Sequence, residues 1–273
     1  MKDLFSDISQ IYKQARPSYP HAVIAEILNH VPQKHFVWDC GAGSGQFTQL
    51  LSPYFEHVVA TDLSAQQLQQ APYLDNVSYQ IQHAEKTSFA QKSFDLITVA
   101  QAIHWFDFDA FYAEVKRTLK PNGILAVIGY GLIQAKDIEI NQIIQSLYYD
   151  TLKGYWDAER RYVDEAYETI PFPFEEIESP TLHMQYQWTF LQLMNYLSTW
   201  SAIKKYKQDN GYDPLSCFKK FVQQYENKHG ANTLDQFIVN VEFPIFLRIG
   251  RLSSVEKKAK AKTVEKIKSA FKP

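Results

Sequence analysis

Residues 38–47 read W-D-C-G-A-G-S-G-Q-F. The apolar run Phe36-Val37-Trp38 ends on Asp39, glycines follow as Gly41, Gly43 and Gly45, and residues 46–51 read as the start of a helix. That order predicts a buried strand, a tight turn and a helix. The glycines supply positive φ and let a ligand approach the backbone closely. Asp39 matters as much as the glycines. A carboxylate at the carboxyl end of a strand attracts a cationic group lying on the loop and repels a phosphate.

Outward from the loop, strand and helix alternate. Strands are expected over 35–39, 57–61 (ending on Asp62), 77–81, 94–99 and 124–128, the last after a turn at Pro121-Asn122-Gly123. Helices are expected over 46–51, 64–71 with Ser64 as N-cap, and 109–119. This pattern predicts an α/β fold, with right-handed crossovers and a mostly parallel sheet covered on both faces. Upstream, Val23, Ile24, Ile27, Leu28 and Val31 repeat with helical period until Pro32. Tyr12, Arg16 and Tyr19 fall in a proline-broken segment too polar to be core. After Tyr130 the alternation stops. Helices are expected over 137–153, 191–206 and 215–229, with strands over 182–188 and 237–248.

No repeat or low-complexity linker divides the chain, so one domain is expected. Its parts are an amino-terminal segment and helix (1–34), an alternating strand–helix core (35–130), a largely helical cap (131–235), a final strand (236–250) and a basic tail (251–273). The tail carries eight Lys/Arg against two Glu. It reads as a solvated helix or an RNA or anionic-surface contact, and the lack of interleaved aromatics weakens the RNA case.

Composition narrows the classes. With 273 residues and 45% hydrophobic content the chain can bury a large core. A net charge of −2 gives no general bias towards nucleic acid or anionic membrane. Two cysteines, Cys40 and Cys217, leave no disulfide framework and fit a reducing cytoplasm. The first residues lack the apolar centre of a signal peptide, and no apolar run approaches the roughly 18 residues of a membrane span. The eight histidines are scattered and neither cysteine has a C-x-x-C partner, so no metal site is expected. Oligomeric state is not set by these features.

Ligands of open α/β sheets bind outside the carboxyl ends of the strands. Three such ends carry suitable groups: Asp39 with the glycines, Asp62, and Ala84-Glu85. A carboxylate at position 62 can accept hydrogen bonds from both hydroxyls of a ribose, and Glu85 can meet an adenine edge. A nicotinamide dinucleotide prefers G-x-G-x-x-G with a helix amino end on the pyrophosphate. Here the spacing is G-x-G-x-G, and Asp39 would face the anion. S-adenosylmethionine has a sulfonium, an α-amino group and no phosphate, which suits an acid–glycine–acid arrangement.

The ordered set D-C-G-A-G-S-G, A-T-D-L-S, H-A-E, F-D-L-I-T-V-A-Q-A-I-H-W-F and L-K-P-N-G-I-L-A-V resembles the successive motifs of class I S-adenosylmethionine-dependent methyltransferases. The match spans residues 35–130. Y-K-Q-A-R-P-S-Y-P, Y-L-S-T-W-S-A and F-P-I-F-L-R-I-G resemble a subgroup that includes trans-aconitate methyltransferase-like proteins, some of which methylate small acids. The resemblance implies a Rossmann-like sheet of seven strands, the last antiparallel. It implies that Asp39 and Gly41, with Gly43 in the same loop, lie by the methionine part, that Asp62 binds the ribose and that Leu63 packs on adenine. Ala84 and Glu85 would border the base, and Ala100 and Gln101 would line the methionine and sulfonium. The amino-terminal segment covers the site in this fold, making Tyr12 and Arg16 candidates for cofactor or substrate contact.

Methyl transfer is an in-line displacement on an already activated sulfonium, so proximity and alignment supply most of the catalysis. A carboxylate acceptor needs no base. A hydroxyl, amine or acidic carbon can need one, and His104 after the fourth strand is the candidate, against a structural, hydrogen-bonded histidine. Trp105 is a candidate wall of the substrate pocket. The expected activity is methyl transfer to a small-molecule acceptor such as an organic acid. The alternatives are a cofactor-binding module without catalysis and an RNA methyltransferase.

Overall fold

The apolar runs around the glycine loop form the middle of a sheet. The structure, a computed structural model, describes residues 17–230 and 236–252. Tyr12, Arg16 and most of the basic tail lie outside the described residues. After α1 (His21–Asn29), β1 (Phe36–Cys40) enters the core and leads through the loop into α2 (Gln46–Leu51). Next come β2 (His57–Asp62), α3 (Ala65–Gln69), β3 (Val77–Ile81), β4 (Phe94–Ala100), α4 (Phe108–Thr118) and β5 (Leu119–Tyr130). All pairings among these strands are parallel, in the order β3-β2-β1-β4-β5.

Successive strand side chains alternate between faces. Val37, Leu96 and Ile128 pack with α1 and α2, whereas Trp38, Ile97 and Val127 pack with Phe111 and Val115 of α4. Both faces are covered, which is why these strands read as continuous apolar runs. Ser64 caps α3 by accepting the Gln67 N–H at 3.3 Å. The Pro121-Asn122-Gly123 turn lies within β5. The register steps from Phe94↔Leu119 to Leu96↔Ile124, and the turn takes up the irregularity.

Beyond β5 lie β6 (Gln134–Ala135), α5 (Ile138–Ser146), a π-helical turn over Leu147–Thr151, α6 (Arg160–Asp164), β7 (Glu175–Ile177) and β8 (Leu182–Thr189). Then α7 (Phe190–Ser198), α8 (Ser201–Asn210), a 3-10 turn over Pro214–Phe218, α9 (Lys219–His229) and β9 (Ile238–Arg251) close the described chain. β9 runs antiparallel to β5, β6, β7 and β8. Its Val241 pairs with both Ala135 and Tyr186, and its Gly250 with both Leu125 and Glu176, so β9 has partners on both edges.

Two expectations are corrected by this topology. The sheet holds nine strands rather than seven: β6 extends the lane of β5, and β7 with β8 shares the outermost lane. Strands of two and three residues are too short to show a period of two. Residues 131–230 hold α5 to α9 and also supply β6 and β7 beside β8, which falls on the strand expected over 182–188. Their Ile140, Ile144, Leu193 and Ile203 join the same apolar core as Ile24 and Ile27 of α1. Tyr19, expected outside the core, is buried, with its ring edge-on to Phe47 (5.3 Å) and Tyr130 (5.9 Å). Its hydroxyl misled the segment-level polarity, while its ring supplies the burial.

Candidate functional site

The loop after β1 is fixed by backbone geometry. Gly41 N–H and Ala42 N–H both donate to the Thr61 carbonyl of β2, at 2.8 and 2.9 Å. Gly41 has φ +72°, and a Cβ there would stand 2.6 Å from Ala102 Cβ, just past the end of β4. The loop is therefore held between two strand ends and presents bare backbone.

Asp39 lies beneath it, 1% exposed. Its two carboxylate oxygens accept the hydroxyls of Thr48 (2.6 Å) and Thr98 (2.9 Å). Burial pushes its pKa up to about 6; the two hydroxyls oppose that shift and the neighbouring Asp62 adds to it. Asp62 ends β2 and braces the loop. One oxygen accepts the Gly43 N–H at 2.9 Å, and the other accepts the Ser64 N–H at 2.9 Å.

These groups surround a cavity of about 360 Å³ at the carboxyl ends of β1, β2, β3 and β4. From the first strand end, Asp39, Gly41 and Gly43 line it. From the second come Asp62 and Leu63, and from the third Ala84. Ala100, Gln101 and Trp105 line it from the fourth. Gln101 holds φ +54° there, with its N–H on Ile128 O (2.8 Å) and its Nε2 donating to Tyr130 O (3.0 Å). Among the described lining residues, the charged groups are Asp39 and Asp62, and neither Lys nor Arg is present.

Two expected site residues stand outside this lining. Glu85 turns its carboxylate to the Asp107 N–H at 3.2 Å, ahead of α4. His104 sits in the 3-10 turn Ile103–Trp105, which directs Trp105 to the cavity and puts His104 Nδ1 3.0 Å from the Tyr167 hydroxyl. Other lining residues went unread in the sequence. Ala102 and Phe106 pack beside Gly41, while Gln67 and Gln82 come from α3 and from just beyond β3. Tyr19 and Tyr130 close the cavity from the amino-terminal side and the end of β5. Tyr19 belongs to the same proline-broken segment as Tyr12 and Arg16, the contacts expected there. Tyr130 stands two residues past the expected end of the fifth strand and carries no signal in the sequence.

The chain is similar to known proteins. The family model for a methyltransferase domain matches residues 38–127. A Dictyostelium discoideum protein described as a methyltransferase is 34% identical over 253 residues, covering 91% of this chain and 95% of that one. The chain belongs to the S-adenosylmethionine-dependent methyltransferase family. A solved structure described as a type II methyltransferase from Anaeromyxobacter dehalogenans is 35% identical to this methyltransferase. It has a TM-score of 0.76 and covers 86% of this chain and 97% of that one. A Saccharomyces cerevisiae protein described as the S-adenosylmethionine-dependent methyltransferase CRG1 is 27% identical over 146 residues, half of each chain.

The methyltransferase's own residues fit its donor, S-adenosylmethionine. Gly41 and Gly43 line the cavity with backbone, and two carboxylates with no lining cation among the described residues suit a cationic, phosphate-free cofactor. Among the described residues no group of three or more His, Cys, Asp or Glu could hold a metal ion. No helix among them is long and apolar enough to cross a membrane.

Proposed function

We propose that the cavity at the strand ends holds S-adenosylmethionine and that the acceptor is a small molecule brought in beside Gln101 and Trp105. The observation that carries this reading is the pair Asp39 and Asp62 on adjacent strand ends, with no lining cation among the described residues. Asp62 takes the ribose hydroxyls while bracing Gly43 and Ser64. Leu63 packs on the adenine, with Ala84 beside the base. Asp39 and the Gly41–Gly43 backbone meet the amino-acid end, and Ala100 and Gln101 flank the sulfonium. The donor supplies an activated methyl group, so the protein's part is alignment and exclusion of water. His104 and Glu85 act from behind the wall rather than by contact.

The finer assignment is an organic-acid carboxylate as acceptor, within the trans-aconitate methyltransferase-like subgroup. Its support is the sequence segments around Arg16, Tyr196 and the end of β9. The described lining offers no cation for a carboxylate, so this assignment places that role on Arg16. The chain acts as one methyltransferase domain, with 131–235 covering the acceptor side. Its two separated cysteines suit a reducing cytoplasm.

Isothermal titration with S-adenosylhomocysteine tests the cofactor site: binding is expected, and Asp62→Ala should abolish it. Equal affinity of the two proteins would remove the reading. Turnover of labelled donor over a panel of organic acids, alcohols and amines tests the acceptor. The acids should be methylated, and Arg16→Gln should raise their KM with little change in donor affinity.

A further inference from the structure

Behind the Gln101 wall runs a chain of hydrogen bonds that fixes its own proton positions. Gln101 Nε2 is 3.0 Å from Tyr130 O, Gln101 Oε1 is 3.1 Å from Tyr167 Oη, and His104 Nδ1 is 3.0 Å from the same Tyr167 Oη. A main-chain carbonyl only accepts, so the amide NH2 faces Tyr130. The amide oxygen then faces Tyr167 and also only accepts. The single phenolic proton therefore goes to Gln101. With that proton committed, Tyr167 Oη receives from His104, and Nδ1 must carry a hydrogen.

The fold goes to some length to deliver this hydroxyl. Tyr167 follows α6 and is fully buried. It has φ +63°, and Ala166 before it has φ +51°, two successive non-glycine residues in the left-handed region. The bend is held from both sides: Tyr167 N–H donates to Tyr162 O at 2.7 Å, and Tyr167 O accepts Arg248 Nη1 at 2.9 Å. The ring packs on Phe246 with centroids 5.3 Å apart, and it fills the space over Gly129. A Cβ on Gly129 would stand 2.6 Å from Tyr167 Cε2. Packing alone would be served by a phenyl ring. The hydroxyl is the part that reaches Gln101 and His104.

We propose that Tyr167 is a positioning residue of the methyltransferase site. It orients the Gln101 amide in the cavity wall and keeps neutral His104 in its Nδ1–H tautomer, so that Nε2 is the nitrogen that takes up or releases a proton. Protonated imidazole donates from Nδ1 as well, so His104 can change charge without breaking the chain. The Gln101 half rests on the cavity being the cofactor site. The tautomer half does not.

The test uses the full chain labelled with 15N. A long-range proton–nitrogen correlation spectrum of the histidine rings, with His104 assigned from its loss in His104→Asn, should show neutral His104 protonated at Nδ1 and bare at Nε2. The opposite tautomer in the unmutated protein overturns the proposal without any variant having to fold. Tyr167→Phe should move the ring proton to Nε2 and weaken S-adenosylhomocysteine binding by about three- to tenfold, the share of one buried hydrogen bond. Tyr167→Phe combined with Gln101→Ala should bind as Gln101→Ala alone does. Fully additive losses overturn the Gln101 half. Failure of the unmutated chain to bind S-adenosylhomocysteine overturns the cofactor reading and the Gln101 half together, while the tautomer result still decides the other half.

Discussion

Gly41 and Ala102 approach so closely that a Cβ on Gly41 would sit 2.6 Å from Ala102 Cβ. This contact joins the loop after β1 to the end of β4 at the cavity. Gly41→Ala must shift one of two short backbone segments and also hold φ +72°. We expect a stability loss of about 2 kcal/mol or more and at least a tenfold loss in S-adenosylhomocysteine affinity, read by denaturant unfolding and calorimetry. Gly211 is the internal control. Its φ is +73° and a Cβ there would meet nothing within 4 Å, so Gly211→Ala should cost only about 1 kcal/mol and leave binding unchanged.

Asp62 has two duties that mutation can separate. Its carboxylate holds the Gly43 and Ser64 N–H groups, so Asp62→Ala should destabilise the cofactor-free protein by about 2 kcal/mol. Asp62→Asn keeps an acceptor oxygen and should recover part of that stability, yet bind S-adenosylhomocysteine more weakly than the native protein. Equal binding by Asp62→Asn would limit Asp62 to bracing the loop.

Asp39 gives a pH signature. Burial raises its pKa from 3.8 to about 6 in the folded chain, so the folded state holds the proton more tightly than the unfolded state. The sign follows from linkage: its contribution favours folding most below about pH 4 and declines as pH rises through 6. Asp39→Asn should remove that slope from the stability profile. An ammonium group beside Asp39 favours the carboxylate, so binding should release a proton near pH 6 and weaken below it. Calorimetry in two buffers of different ionisation enthalpy reads the release, and a flat profile from pH about 5 to 7 would count against the contact.

Gly129 and Tyr167 couple the sheet to the segment after α6. A Cβ at 129 would press on Tyr167 Cε2 at 2.6 Å and on Phe246 Cδ2 at 2.7 Å. Gly129→Ala should cost about 1–3 kcal/mol of stability by overpacking, measured by urea unfolding.

Much of the fold is legible in the chain itself. Strands β1, β4 and the later half of β5 announce themselves because burial on both faces makes near-continuous apolar runs, whereas the edge strand β3 is no more than half-buried. The glycine loop and both acids are legible because loop chemistry is local: positive φ favours glycine, and an acid at a strand end stands beside the loop that follows it. The wall is harder to read. Trp105 and His104 are neighbours in one 3-10 turn, and only the turn's orientation sends the first to the cavity and the second to Tyr167. Glu85 reads as a ligand-facing acid but serves Asp107.

The sequence W-D-C-G-A-G-S-G-Q-F by itself determined the cofactor-binding half: strand, turn, helix, and an acid where a phosphate would be repelled. Those features depend on residues within one turn of each other. Tertiary structure alone decided what joins them. It seated Asp39 between Thr48 and Thr98, gave β9 partners on both edges, and brought Tyr167 to Gln101 across 66 positions of sequence. Contacts at such separation leave no periodicity to read, because they are set by how the covered faces of the sheet pack rather than by any local preference of the chain.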